Sequence, residues 1–365
     1  MRILVDARAL GIKPSGIGMY IYRFVEAFAR QTDFEIHLAS DVMESDEMKS
    51  LSDYPSITVH LFGKHIDKSF SVWKYTAYLK KLIDDIKPQV FWEMNNLLPV
   101  RIKNPFGKYI LTIHDVFPLS MPGYYGRIYP YYFKRGLRLS LDCCDGAVFV
   151  SDTARKETAA FFESINKLKT LVGYIIVPPI PVVDIPRSDF FLYVGNIENR
   201  KGSDILLKSY ERYVRMGGKR DLYLAGSVRD SDIRSMLEEI SEKTEKIHYL
   251  GYISIEERNK LYQSCGCFLF PSRAEGFGIP VVEALSCGSP VIASDLGIFK
   301  ELVGDKIEYF NLSGDFDASC NSFLNSLIRF DGSGWCASDL RETADRFTEE
   351  RLLPPMVEFI RESAE

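Results

Sequence analysis

The chain has 365 residues, 46% of them hydrophobic and 26% charged, the balance of a soluble globular protein with room for two domains of ordinary size. A formal net charge of −5 argues against a general nucleic-acid binder. No apolar run approaches the roughly 20 residues that span a bilayer.

Met1-Arg2-Ile3-Leu4-Val5-Asp6 enters a strand at once, so no signal peptide is expected. The seven cysteines lack paired metal-type spacing and read as reduced core residues of a cytoplasmic protein. Short apolar strands alternate with amphipathic helices. Strands are expected at 3–7, 35–39, 58–62, 89–92, 109–113 and 146–150, with helices at 17–30, 70–86 and 125–141. Such alternation implies an α/β protein with parallel sheets covered by helices. Residues 178–186, with Pro178, Pro179, Pro181 and Pro186, can hold neither a helix nor a central strand and read as a linker that includes Asp184. A second series follows, with strands at 190–194, 222–225, 247–250, 267–270, 291–293 and 308–310. The expected domains are 1–177, a linker 178–189, 190–347, and a helical tail 348–365, broken at Pro354 and Pro355, that packs back on the first domain. Ligands of open α/β sheets sit at the carboxyl ends of strands, which places chemistry in a cleft between two such domains.

Glu275 and Glu283 stand out in the segment 271–294. Pro280 near the start of a helix and Gly288 just past its end put Glu275 in the loop before it and Glu283 about one turn inside. Gly276 and Gly278 bare the backbone N–H groups of that loop, which can hold an anion or a cluster of hydroxyls. Gly195-Asn196-Ile197-Glu198-Asn199-Arg200-Lys201-Gly202 follows a buried strand, and Arg200 and Lys201 there suit a diphosphate; a solvated basic loop is the plainer reading. Gly16 and Gly18 form a glycine loop after the first strand, serving either a tight turn or a backbone contact with phosphate or sugar. His114 ends a strand, where an imidazole can meet a sugar hydroxyl when neutral or stabilise charge when protonated. Asp230-Ser231-Asp232 and Asp315-Phe316-Asp317 have the look of metal motifs but open helices, where acids cap. No nucleophile elbow is present. Segments 124–138 and 70–81 interleave aromatics with Lys and Arg, as a membrane interface, a sugar platform or an ordinary amphipathic helix would.

Taken together these residues resemble the retaining nucleotide-sugar glycosyltransferases of family four, the group 1 glycosyl transferases, mannosyltransferases among them. Glu275 and Glu283 match the family's Glu-x7-Glu, Gly195 to Gly202 its basic glycine loop, Gly16 and Gly18 its first glycine loop, and His114 its strand-end histidine. The resemblance implies the GT-B fold, two Rossmann-like domains facing across a cleft. It implies that Arg200 and Lys201 bind the donor diphosphate, Glu275 the donor sugar and Glu283 the ribose. Backbone at Phe277, Gly278 and Ile279 would hold hydroxyls or phosphate, with His114 near the donor sugar and Gly16 and Gly18 near phosphate or acceptor. Tyr252 would wall the nucleobase. It further implies transfer with retention, without a metal and without a cofactor beyond the GDP- or UDP-linked donor. Partners would be a glycan or lipid-linked acceptor in surface polysaccharide (lipopolysaccharide) synthesis and, peripherally, the inner membrane face, with no nucleic acid. The stretch 178–186 departs from the family in lacking its Asn-Gly-Val turn. Two other readings stay open: a non-catalytic sugar-nucleotide-binding subunit, and a GT-B-like sugar-nucleotide epimerase.

Overall fold

The computed structural model describes residues 1–66, 69–96, 98, 101–183 and 185–365; Asp184 of the expected linker lies outside the described residues. The chain forms two compact units, Met1–Ile176 with Glu349–Glu365, and Val177–Thr348.

The first unit is built on seven parallel strands: β1 (Arg2–Asp6), β2 (Glu35–Ser40), β3 (Ile57–Leu61), β4 (Val90–Glu93), β5 (Lys108–Ile113), β6 (Gly146–Phe149) and β7 (Lys169–Val172). Their order is β3-β2-β1-β4-β5-β6-β7. Every residue of β4 and of β6 is buried, the mark of strands covered on both faces. The helices are α1 (Gly16–Gln31), α2 (Asp46–Ser52), α3 (Ser69–Ile86), α4 (Phe117–Ser120), α5 (Tyr129–Leu141) and α6 (Asp152–Phe161). Ser45 and Ser151 cap α2 and α6 by accepting from the N–H groups of Met48 and Ala154. Strand β7 and helices α2, α4 and α6 were not expected from periodicity, being short or polar. The helix expected at 125–141 starts only at Tyr129, because Gly126 takes a left-handed φ of 71° and Pro130 suits a first helical turn.

The second unit has six parallel strands, β8 (Phe190–Val194), β9 (Asp221–Ala225), β10 (Ile247–Gly251), β11 (Cys267–Phe270), β12 (Val291–Ser294) and β13 (Glu308–Phe310), ordered β10-β9-β8-β11-β12-β13. Around them run α7 (Ser203–Arg215), α8 (Ser231–Lys243), α9 (Ile255–Ser264), α10 (Ile279–Ser286), α11 (Gly297–Val303), α12 (Phe316–Arg329) and α13 (Ala337–Ala344). The described residues of the proline-rich stretch hold no regular element, and they are tied to this unit. The Val183 N–H donates to Gln263 at 2.7 Å, and the Arg187 guanidinium caps the carbonyls of Cys265, Cys287 and Gly288 at 3.0, 3.0 and 2.7 Å.

The last helix, α14 (Glu349–Ala364), returns to the first unit. It runs through Pro354 and Pro355 rather than breaking there. Two missing donors cost backbone hydrogen bonds, but Leu353, Met356, Phe359 and Ile360 are buried on one face and outweigh them. Arg30–Glu349 at 2.6 Å and Lys169–Glu362 at 2.7 Å fasten its two ends. All seven cysteines are free; five are buried as expected, Cys143 is half-buried, and Cys336 lies exposed because it precedes α13 in a surface loop.

Candidate active site

In the second unit β8 lies between β9 and β11, so the chain leaves β8 to one side of the sheet and returns to the other. The crevice at the carboxyl ends of β8 and β11 is the switch point where such sheets bind ligands. Two loops meet there, one after β8 carrying Arg200 and Lys201, one after β11 carrying Glu275. Gly202 makes the approach feasible: its φ is 70°, and a Cβ would overlap the carbonyl oxygen of Pro271. The Arg273 N–H donates to the Arg200 carbonyl at 2.9 Å, and Arg200 Nη1 donates to the Ala274 carbonyl at 3.2 Å. Arg273 also grips Asp204 with both arms, at 2.6 and 2.8 Å.

The result is a row of alternating charge. Lys201 Nζ stands 2.6 Å from Glu275 Oε1, the two side chains only 16% and 8% exposed. Arg200 Nη2 lies 2.9 Å from Glu198 Oε1. The Lys201 ammonium also sits 5.6 Å from the centre of the Phe270 ring. Two cations fixed on rigid loops suit a diphosphate, and a carboxylate touching one of them suits hydroxyls next to that diphosphate.

Gly278, with a φ of 98°, turns the chain into α10, and Pro280 fills its first turn. Phe277 turns its ring inward against Phe347, centroids 5.4 Å apart, so its backbone rather than its side chain is left to serve a ligand. Ile279 is the first residue of α10 and Glu283 lies one turn on, 4% exposed. Tyr252 follows β10 and is 74% exposed. The structure therefore brings Lys201 and Glu275 into direct contact, with Arg200 next along the chain, paired to Glu198 and to the Ala274 carbonyl.

In the first unit the switch point falls between β1 and β4. His114 follows β5, the next strand over. Its Nε2 lies 2.9 Å from the Met94 carbonyl, which can only accept, so Nε2 carries the hydrogen and Nδ1 is the acceptor. Burial pushes its pKa down to about 4 despite that bond, which leaves the ring neutral at pH 7. Of the two roles open to it, hydroxyl partner is the one this environment favours. Gly16 and Gly18 lie inside α1 rather than in a loop before it, and neither has a positive φ. Gly18 is needed because a Cβ would overlap the Ala9 carbonyl oxygen, whereas Gly16 faces open space.

Several side chains at these edges escape sequence reasoning. Asp6 and Glu93, register partners at the ends of β1 and β4, are fully buried. Arg8 Nε is 2.9 Å from both Asp6 oxygens, its Nη2 3.9 Å from Glu93 Oε1, and the Tyr75 hydroxyl 2.9 Å from Asp6 Oδ1. Burial, with the Asp6 charge, holds the Glu93 carboxyl well above the usual range. Arg258 and Tyr262 of α9 flank Glu283. Asp-Ala-Arg at 6–8 was the available signal for the first group; for the second there was none. Of the two Asp-x-Asp segments, Asp315 caps α12 by accepting from Ala318 at 2.7 Å, while Asp230 occupies the cap position of α8 but accepts from the Asn199 N–H at 2.6 Å, bracing the basic loop instead.

Comparison with known proteins agrees with this geometry. Residues 14–169 match the family model Glycosyltransferase Family 4, and residues 183–313 match Glycosyl transferases group 1. The chain is 26% identical to O-antigen chain mannosyltransferase B of Escherichia coli, over 84% of this chain and 85% of that one. It is 25% identical to O-antigen chain mannosyltransferase RfbU of Salmonella typhimurium, over 85% and 86%. Among solved structures, the sucrose-phosphate synthase of Thermosynechococcus elongatus superposes with a TM-score of 0.77 at 16% identity, covering 99% and 98% of the two chains. The Anabaena protein HepE, solved with UDP and glucose, superposes at 0.71 with 15% identity over 99% and 100%. These share the GT-B fold. With one matched domain in each unit, the chain belongs to the group 1 glycosyltransferases of family four.

Proposed function

We propose that the protein moves a hexose, mannose from GDP-mannose, to a glycan or lipid-linked acceptor in surface polysaccharide synthesis, with retention of anomeric configuration and without a metal. The observation that carries the reading is the Lys201–Glu275 contact at the switch point, beside Arg200. The choice of mannose draws on the relatives, two of which are O-antigen mannosyltransferases by name. As the bond from the anomeric carbon to the diphosphate breaks, its electron pair goes to the leaving oxygen, and Arg200 and Lys201 offset that charge. Glu275 accepts from hexose hydroxyls and steadies positive charge at the anomeric carbon, while Glu283 accepts from the ribose. The acceptor hydroxyl attacks from the same face and passes its proton to the leaving phosphate. His114, neutral, offers Nδ1 to a sugar hydroxyl.

The test is calorimetric titration with GDP-mannose, UDP-glucose and other sugar nucleotides, followed by a turnover assay. Binding to none of them overturns the reading; binding without transfer points to a non-catalytic subunit, and an epimer formed from donor alone to an epimerase.

Contact with the anionic inner membrane face is part of the same proposal. None of the described helices is long and apolar enough to cross a membrane. The outer face of α5 and the turn before it expose Ile128 at 83% and Tyr131 at 81%, beside a concavity of about 530 Å³ lined by Arg101, Lys134, Arg135 and Arg138. Such a face suits anionic headgroups. Liposomes containing anionic lipid are expected to retain the protein at low salt, and to release a variant with Lys134, Arg135 and Arg138 changed to Glu; equal retention of both removes the contact.

A further inference from the structure

Glu283 is held by two side chains of α9. The Tyr262 hydroxyl donates to Oε2 at 3.2 Å, and Arg258 Nη1 stands 3.3 Å from Oε1. A guanidinium touching so enclosed a carboxylate supplies the opposite charge that burial otherwise denies it. Arg258 itself is poorly accommodated. Its Nε–H is enclosed and has no acceptor among the described residues, and its Nη2 reaches only Asn259 Oδ1, at 3.4 Å. A buried donor without a partner costs stability. A methionine or leucine on this face of α9 fills similar space without that cost, so packing alone does not account for an arginine.

The chain places this pair at one end of the candidate site. Helix α9 begins a few residues after exposed Tyr252, with Ser254 and Glu257 forming a capping box at its start. Arg258 follows that box directly. It therefore sits in the first turns after the residue expected to wall the nucleobase, and it touches the residue expected to meet the ribose.

We propose that Arg258 is a positioning residue for the nucleoside end of the donor site, holding Glu283 as an oriented carboxylate that reads both ribose hydroxyls and so selects ribonucleotides over their deoxy forms. The inference rests on the sugar-nucleotide reading given above. A vicinal diol presents two O–H donors. An ionised carboxylate has two oxygens with about two lone-pair sites each, all of them acceptors. A protonated carboxyl gives up one of those positions to its own hydrogen. Tyr262 cannot take over from Arg258, since burial and the Glu283 charge keep its hydroxyl neutral. Of the other titratable groups around Glu283, the Cys287 thiol is pushed up to about 12 by burial and stays neutral. Arg187 is spent on the carbonyls of Cys265, Cys287 and Gly288.

The experiment is calorimetry on the full chain with GDP, UDP and their 2′-deoxy forms at pH 7, for wild type, Arg258→Met, Arg258→Lys and Glu283→Gln. Whichever nucleotide the wild type binds should bind Arg258→Met about 10- to 100-fold more weakly at pH 7, the scale of losing a hydrogen bond to a charged group. The deoxy penalty should shrink toward none in that variant. Arg258→Lys should restore most of the affinity and of the deoxy penalty. Wild-type affinity and an intact deoxy penalty in folded Arg258→Met overturn the proposal. If that variant does not fold, an intact deoxy penalty in Glu283→Gln overturns it equally. Binding of neither nucleotide by the wild type overturns the sugar-nucleotide reading itself.

Discussion

His114 should not titrate anywhere near the ordinary histidine range. Only 5% of it is exposed, its Nε2–H is given to the Met94 carbonyl, and its ring stands nearly perpendicular to that of Tyr20 with centroids 4.9 Å apart. Burial lowers its pKa from 6.5 to about 4, and the carbonyl bond recovers only part of the loss. In the unfolded chain the ring takes up a proton near 6.5; in the folded chain it does so only near 4. The unfolded state thus binds more protons between those values, and stability declines as pH falls through that window. At about 1.4 kcal/mol per pH unit the full effect is about 3 kcal/mol. Two measurements check it. Of the five histidines, the ring resonance that disappears in His114→Gln should stay unshifted in NMR spectra down to about pH 5. In urea unfolding, the wild type should lose about 2–3 kcal/mol more than His114→Gln between pH 7.5 and 4.5, since a glutamine amide can still donate to Met94 but takes up no proton. A His114 resonance titrating at 6 or above, or parallel stability profiles for the two proteins, would refute the neutral-imidazole assignment and with it the role as a hydroxyl partner.

Two further outcomes follow from buried carboxyls. Glu275→Gln removes the charge that faces Lys201 at 2.6 Å; nucleotide affinity should stay within about threefold while turnover falls about 100-fold or more, and unchanged turnover takes Glu275 out of the chemistry. Glu93, fully buried beside Asp6, keeps a proton that the unfolded chain loses above its ordinary pKa of 4.5, so this residue makes stability fall as pH rises from there. Glu93→Gln should flatten that decline in a pH series of thermal melts and leave the protein at least as stable at pH 8, whereas an unchanged slope would place the proton elsewhere.

The alternation of strands and helices was legible because both sheets are parallel and their inner strands are buried on both faces, which forces apolar runs such as Cys267–Phe270 and Val291–Ser294. What escaped was short or locally atypical. Strand β7 shows only half-buried and exposed residues, so its sequence carries no apolar run. Helix α14 contains two prolines, and only its packing against the first unit explains why it continues. Cys336 read as core from residue type alone, although a neighbouring helix start keeps it at the surface. Gly18 shows the converse: a glycine that reads as serving a turn or a phosphate contact is required here by its closeness to Ala9.

The candidate site divides along the same line. Glu275, Gly278, Glu283 and the basic loop announce themselves because loop glycines, a first-turn proline and paired acids are local signals. Their partners do not, since they come from far along the chain: Arg273 with Asp204, Tyr262 with Glu283, Asp6 with Glu93. Periodicity says that strands exist but not which lie side by side. Knowing that β8 pairs with both β9 and β11 is the missing step. Once those neighbours are given, the loop after β8 must face the loop after β11. The small residue at 202 lets the two backbones close, and Lys201 has Glu275 within reach. The ion pair is therefore a consequence of strand order, which is why basic loop and acidic loop, each ambiguous alone, acquire a shared chemical meaning only in the folded sheet.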